Sequence, residues 1–286
     1  MTLLRAVDTF TALAIGAALR LTQKIGKIVT GEAFDSAARH TRALIRNRRF
    51  PARVTASAVI KSINPQRFEE IRRKYADPTA PADAPPKYLD LRTWMRINVQ
   101  RARELELDYS PPASILDIGC GAGYFLYICK TLGHEVLGLD MDNFPMFREL
   151  TGMLKVPRVI ARIDAFQPLP KLDRKFDVIT AHLICFNAHK SDKLWGPAEW
   201  EFFLNDLASH LNPGGRVWLE LNREFDGSYY SPELAAFFRG RGAELHGYRV
   251  VFNPGTLVPV ATASAVSSNH RVAVDVPRPR PPAHAR

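Results

Sequence analysis

Residues 114–123 read Ser114-Ile115-Leu116-Asp117-Ile118-Gly119-Cys120-Gly121-Ala122-Gly123, a short apolar run that holds one acid and ends in three glycines at alternate positions. An apolar run of this length, closed by glycine, predicts a buried strand. A helical pattern follows at 124–132, so the glycines lie on a strand-to-helix turn. Glycine lets the backbone approach a ligand closely, and the start of the helix presents oriented N–H groups. A dinucleotide loop would need its third glycine one residue later, where Tyr124 stands. Asp117 would also repel a pyrophosphate, so the loop suits a ligand that carries positive charge, such as an ammonium or a sulfonium.

Outward from this turn, strands and helices alternate. Strands are predicted at 135–140, near 158–163, at 176–182 and at 216–221, and helices at 143–154, 197–211 and 231–240. In the 197–211 helix, Trp200, Phe203, Leu204, Leu207 and Leu211 recur at spacings of three and four. Such alternation predicts a parallel sheet covered on both faces. Two closing strands are expected around 245–252 and 257–265. Only Asn253-Pro254-Gly255-Thr256 joins them, which leaves no room for a crossover helix and makes the pair antiparallel.

Upstream, residues 1–76 read as basic helices, residues 77–86 as a Pro/Ala-rich linker, and residues 88–107 as one further helix. Residues 267–286 lack apolar periodicity and read as a disordered tail. The net charge of +10 is unevenly placed. Residues 1–75 carry 15 Lys/Arg against 5 Asp/Glu, whereas residues 111–255 carry 15 against 17. The strand-helix region itself is therefore not a basic surface of the kind that grips a long nucleic acid. Residues 9–19 are nearly free of charge, but Asp8 and Arg20 bracket them, and a spanning helix needs about 20 apolar residues. The expectation is a surface helix in peripheral contact with a membrane. Cys120, Cys129 and Cys185 show no Cys-x-x-Cys spacing, so no metal site and no disulfide framework is expected, and the setting is cytoplasmic.

The string ILDIGCGAGYF (115–125) resembles the first motif of the class I, Rossmann-like S-adenosylmethionine-dependent methyltransferases, and EVLGLDMD (135–142) resembles their second. Ile163-Asp164-Ala165, FDVITAHLICF (176–186) and LNPGGRVWLEL (211–221) follow in the family's order, so the resemblance covers residues 87–266. It implies a seven-stranded, mostly parallel sheet in the order 3-2-1-4-5-7-6, last strand antiparallel, flanked by helices. It also implies S-adenosylmethionine as cofactor. Asp117, Gly119, Cys120, Gly121 and Gly123 would form its loop. Asp140, which lies 21 residues after Gly119, would hold the ribose hydroxyls beside Met141. Asp164 and Ala165 would meet the adenine, Ala181 would lie near the donor after strand four, and Tyr88 would close over it. Cys120 needs no role as a nucleophile, and Asp177 reads as structural.

Ligands of open parallel sheets sit beyond the carboxyl ends of the strands. That places His182 as the candidate general base, with Asn187 and His189 in the loop beyond. No Asn-Pro-Pro-Tyr or Asp-Pro-Pro-Tyr string follows strand four, and Pro-Cys is absent, which argues against methylation of DNA bases. Tyr88, Trp94, Trp195 and Trp200 offer walls for an organic acceptor, so a small molecule, lipid or saccharide is expected. Two alternatives stand beside it. One is an RNA methyltransferase gripping RNA through the basic helices. The other is a membrane-associated binding protein without turnover.

Overall fold

A computed structural model describes residues 51–76, 86–184, 186, 194–224 and 226–259, together with residues 41 and 45. The helices expected before residue 51, most of the linker, Asn187, His189, and the segment from 260 to the tail lie outside the described residues.

Local sequence signals set the first elements. Thr55 caps α1 (Ala56–Ser62) by accepting from Ala58 N, and Asn64 caps α2 (Pro65–Tyr75) by accepting from Arg67 N. The helix expected over 88–107 divides in two. A 3-10 turn spans Pro86–Leu89, and α3 (Leu91–Glu104) begins afresh because Asp90 caps it, its carboxylate accepting from Thr93 N at 3.1 Å. Then come β1 (Ser114–Ile118), α4 (Tyr124–Thr131), β2 (Glu135–Asp140), α5 (Pro145–Met153) and β3 (Arg158–Ile160). The second half holds β4 (Phe176–Ile184), α6 (Pro197–Ser209), β5 (Leu211–Leu221), α7 (Pro232–Gly240), β6 (Glu244–His246) and β7 (Arg249–Phe252).

The strands form one seven-stranded sheet in the expected order, β3-β2-β1-β4-β5-β7-β6. β1 to β5 run parallel, and β7 is antiparallel to both of its neighbours. The closing pair is not the one expected. The apolar run 245–252 is itself a hairpin, turning at Gly247 and Tyr248, with His246 opposite Arg249. Gly247 has φ +61, the conformation that a two-residue hairpin turn demands at its first central position. Residues 257–259 are not in a strand.

Strand alternation sorts side chains to the two faces of the sheet. Leu116, Ile118, Ile179, Ala181, Val217 and Leu219 pack against Trp200, Phe203 and Leu207 of α6 and Phe238 of α7. The other face carries Ile115, Val136 and Val178 against α3 and α4, and here α1 and α2 join the same core through Val59, Ile63 and Ile71. Tyr75 donates to Glu149 Oε1 at 2.8 Å, which ties α2 to α5. At the amino end of the sheet, Asp177 accepts from Ser114 N (2.7 Å) and Asn212 Nδ2 (2.7 Å), fastening three strands together. This is the structural role its sequence position indicated.

Towards the carboxyl end, the α3 face turns polar. Asp117, Thr180 with His182, Glu220 and Arg249 stand on β1, β4, β5 and β7, and the register places them side by side. Buried charges must be paired to be tolerated. Glu220, 1% exposed, accepts from Arg101 Nη2 of α3 at 2.7 Å and from Arg249 Nε at 3.3 Å. Arg249 also pairs with Glu104, and its guanidinium lies 5.0 Å from the Trp218 ring centre. Burial alone would raise the Glu220 carboxyl. His182, Arg101 and Arg249 overcome it and hold the group well below the usual carboxylate range.

A carboxyl so lowered stabilises the fold above its unfolded value of about 4.3, and this contribution drains away as pH falls towards the folded value. Glu220→Ala leaves two buried guanidinium groups short of a partner and is expected to cost about 3–5 kcal/mol in urea unfolding. A loss below about 1 kcal/mol, the range of a surface pair, would contradict this reading of the network.

Candidate functional site

The glycine loop is strapped to β2. Gly119 N and Cys120 N both donate to Leu139 O, at 2.7 and 3.3 Å, and Gly121 N donates to Asp140 Oδ2 at 2.5 Å. Gly119 has φ +70, and a Cβ there would meet Ile184 Cγ2 at 2.0 Å, so both backbone and space require glycine. Asp117 is fully buried beneath the loop, and its Oδ1 accepts from Thr180 Oγ1 at 2.7 Å. Burial raises its carboxyl, while His182, Thr180 and Arg101 act in the opposite direction. Burial likewise raises Asp140.

Above the loop opens a cleft of about 1010 Å³ at the carboxyl end of the sheet. Asp117, Gly119, Cys120, Gly121, Asp140 and Met141 line it, as do Asp164, Ala165, Tyr88 and His182. Two expected residues do not. Gly123 starts α4 and packs towards Thr151, whose Cγ2 would lie 2.9 Å from a Cβ there. Ala181 points to the opposite face of the sheet from Thr180 and His182, into the core under α6. Cys120 packs on Gly138, and burial pushes its thiol far above the ordinary range, which removes it as a nucleophile.

The cleft has three zones. One wall is aromatic. Tyr88 stacks on Trp94 (centroids 4.8 Å) and meets Phe147 edge-on at 5.0 Å, and Tyr124 Oη fixes the turn by donating to Tyr88 O at 2.9 Å. At the far end Asp164 is half exposed and accepts from Arg162 Nε at 2.8 Å. The deep end holds Asp117, Arg101 and His182. The His182 side chain is 5% exposed, with its ring edge-on to Phe125 at 4.6 Å. Its Nδ1 lies 3.2 Å from Glu220 Oε2. Neither ring nitrogen has a hydrogen-bond partner among the described residues.

Sequence reasoning missed Asn98 and Arg101, which line the cleft from α3. Arg101 Nη1 donates to Asn98 Oδ1 at 3.1 Å, and the guanidinium is 12% exposed. Their signal was a polar pair at helical spacing on the same face as Trp94, with a lone acid, Glu220, among the apolar residues at the carboxyl end of a strand. Leu183, next to His182, lines the cleft as well. It holds φ +59 at the end of β4, where Asn222 Nδ2 donates to its carbonyl at 2.7 Å. A leucine in this region is strained, and such residues cluster at ligand sites.

The sheet order and the acid-bearing glycine turn at its carboxyl edge define a Rossmann-like methyltransferase fold. Residues 116–217 match the family described as a methyltransferase domain. Among solved structures, an amino pentose methyltransferase of calicheamicin biosynthesis from Micromonospora echinaspora is 24% identical, over 44% of this chain and 50% of that one, with a TM-score of 0.34. A sugar N-methyltransferase from Streptoalloteichus is 21% identical, over 44% and 48%, with a TM-score of 0.33. The PH0226 protein of Pyrococcus horikoshii is 18% identical, over 56% and 90%, with a TM-score of 0.39. The chain thus spans about half the length of the first of these structures. No curated protein matches it.

Two glycine substitutions separate constrained from free positions. Gly119→Ala forces a left-handed alanine against Ile184 and is expected to lower stability by about 1–3 kcal/mol. Gly152→Ala, in α5 with open space around the new methyl, is expected to raise it by about 0.5–1 kcal/mol. Paired urea melts check both, and an unaltered Gly119→Ala midpoint would refute the constraint.

Proposed function

We propose that the cleft binds S-adenosylmethionine and that the protein transfers its methyl group to a small-molecule or saccharide acceptor. One observation carries the reading: carboxylates at the ends of β1 and β2 and in the segment that follows β3, Asp117, Asp140 and Asp164, face one cleft along a glycine loop. The donor set fits this cofactor. Asp140, already bonded to Gly121 N, suits the ribose hydroxyls, and Asp164 suits the adenine amino group. At the deep end Asp117 suits the ammonium, and Arg101 suits the carboxylate of the amino-acid portion. His182 was expected as a general base. Wedged between Phe125 and Glu220 beside Asp117, it suits the amino-acid end as a positioning residue.

When bound, S-adenosylmethionine supplies a methyl group already activated by a sulfonium. The chain's own task is then to orient the two partners and exclude water. Tyr88, Trp94 and Phe147 cover the cleft on the α3 side and serve the second purpose. The cations at 67–74 give little support to a nucleic-acid grip. Arg67, Arg72 and Lys74 are matched by Glu70, Glu69 and Glu149. Among the described residues no helix is long and apolar enough to cross a membrane.

Incubation with methyl-labelled S-adenosylmethionine and an extract of the source cells tests the reading. Label is expected in the acid-soluble, small-molecule fraction. Label confined to RNA, or no transfer at all, would overturn it.

A further inference from the structure

Beside the cleft lies a second cavity of about 400 Å³, bounded by the end of β4, the start of α6 and the segment 222–234. The two share Ile184, Phe186, Leu194, Trp195 and Asn222, so a molecule in the smaller one borders the space of the larger. Trp195, Trp200, Tyr229 and Tyr230 supply aromatic surface. Among the described residues, Glu224, Asp226 and Glu233 are the charged ones of its lining, and no Lys, Arg or His contributes.

The three acids are not equivalent. Asp226 is engaged in its own turn, accepting from Ser228 N at 2.8 Å and Ser228 Oγ at 2.7 Å. Glu233 stands exposed in the first turn of α7. Glu224 is held through its backbone, whose N–H donates to Ser228 O at 2.9 Å, while its Oε2 is buried with no hydrogen-bond partner among the described residues. Arg223, the adjacent cation, does not line the cavity. Its guanidinium lies 4.5 Å from the Tyr229 ring centre and donates to Gly227 O at 2.6 Å. A carboxylate oxygen withdrawn from water without a partner is costly, and a ligand that donates a charged N–H removes that cost. Aromatic faces around it favour an organic cation further.

We infer that this cavity is the acceptor site and that it takes a compound bearing a protonated amine, with Glu224 as the residue that selects it. The inference rests on the methyl-transfer reading above and narrows its acceptor to one chemical class.

The experiment separates the two. Calorimetric titration with S-adenosylhomocysteine comes first, and absence of binding would overturn the parent reading and this inference together. Protein saturated with that compound is then titrated with two matched pairs: phenethylamine against 2-phenylethanol, and methyl glucosaminide against methyl glucoside. At least one amine is expected to bind tenfold or more tightly than its neutral partner. Glu224→Gln should abolish that preference while S-adenosylhomocysteine affinity, which also reports correct folding, stays unchanged. Equal binding within both pairs, no binding by either amine, or a preference that survives Glu224→Gln would each overturn the amine assignment and leave the cofactor reading standing.

Discussion

Carboxylates buried at the carboxyl edge of a parallel sheet are the constraint on which this structure turns. Asp117 sits out of water at the tip of β1, and Glu220 stands deeper on the same face. Each is tolerable only because neighbours are fixed around it. Thr180 donates to Asp117, and Arg101 and Arg249 bracket Glu220. These partners come from β4, α3 and β7, so the electrostatics of the site and the docking of α3 on the sheet are one arrangement. The cost of that burial is recovered if a ligand supplies the matching charges, which is why the cleft lies here and not at the amino edge, where Asp177 is already satisfied by Ser114 and Asn212.

The parts legible in sequence were those written in local patterns. Apolar runs ending at an acid or a glycine placed β1 and β2 with their observed bounds, and the glycine spacing placed the loop. Patterns that continued smoothly through a change of structure misled. The run LHGYRVVF keeps its apolar character across Gly247, so the hairpin inside it stayed hidden and a later strand was expected in its place. Gly123 and Ala181 were assigned to the site by their place in a motif. The start of α4 turns the first aside, and the two-residue period of β4 turns the second to the other face. Arg101 and Glu220 stand 119 positions apart, and no local pattern connects a helix cation to a strand acid at that distance.

The proposed reading assigns donor and acceptor to different parts of the fold. The donor side is built from strand tips and a loop strapped to β2, elements with little freedom to vary. The smaller cavity that we propose as the acceptor side is bounded by the segment 222–234 and the start of α6, outside the sheet. A common donor site beside a variable acceptor pocket lets one fold serve many substrates.

Titration of the wild-type protein and of Asp140→Ala with S-adenosylhomocysteine tests the account most directly. Saturable uptake of one molecule per chain is expected for the wild type. Affinity should fall by roughly tenfold or more in the variant, with urea stability retained. No saturable uptake by the wild type, or equal affinity in both proteins, would contradict it.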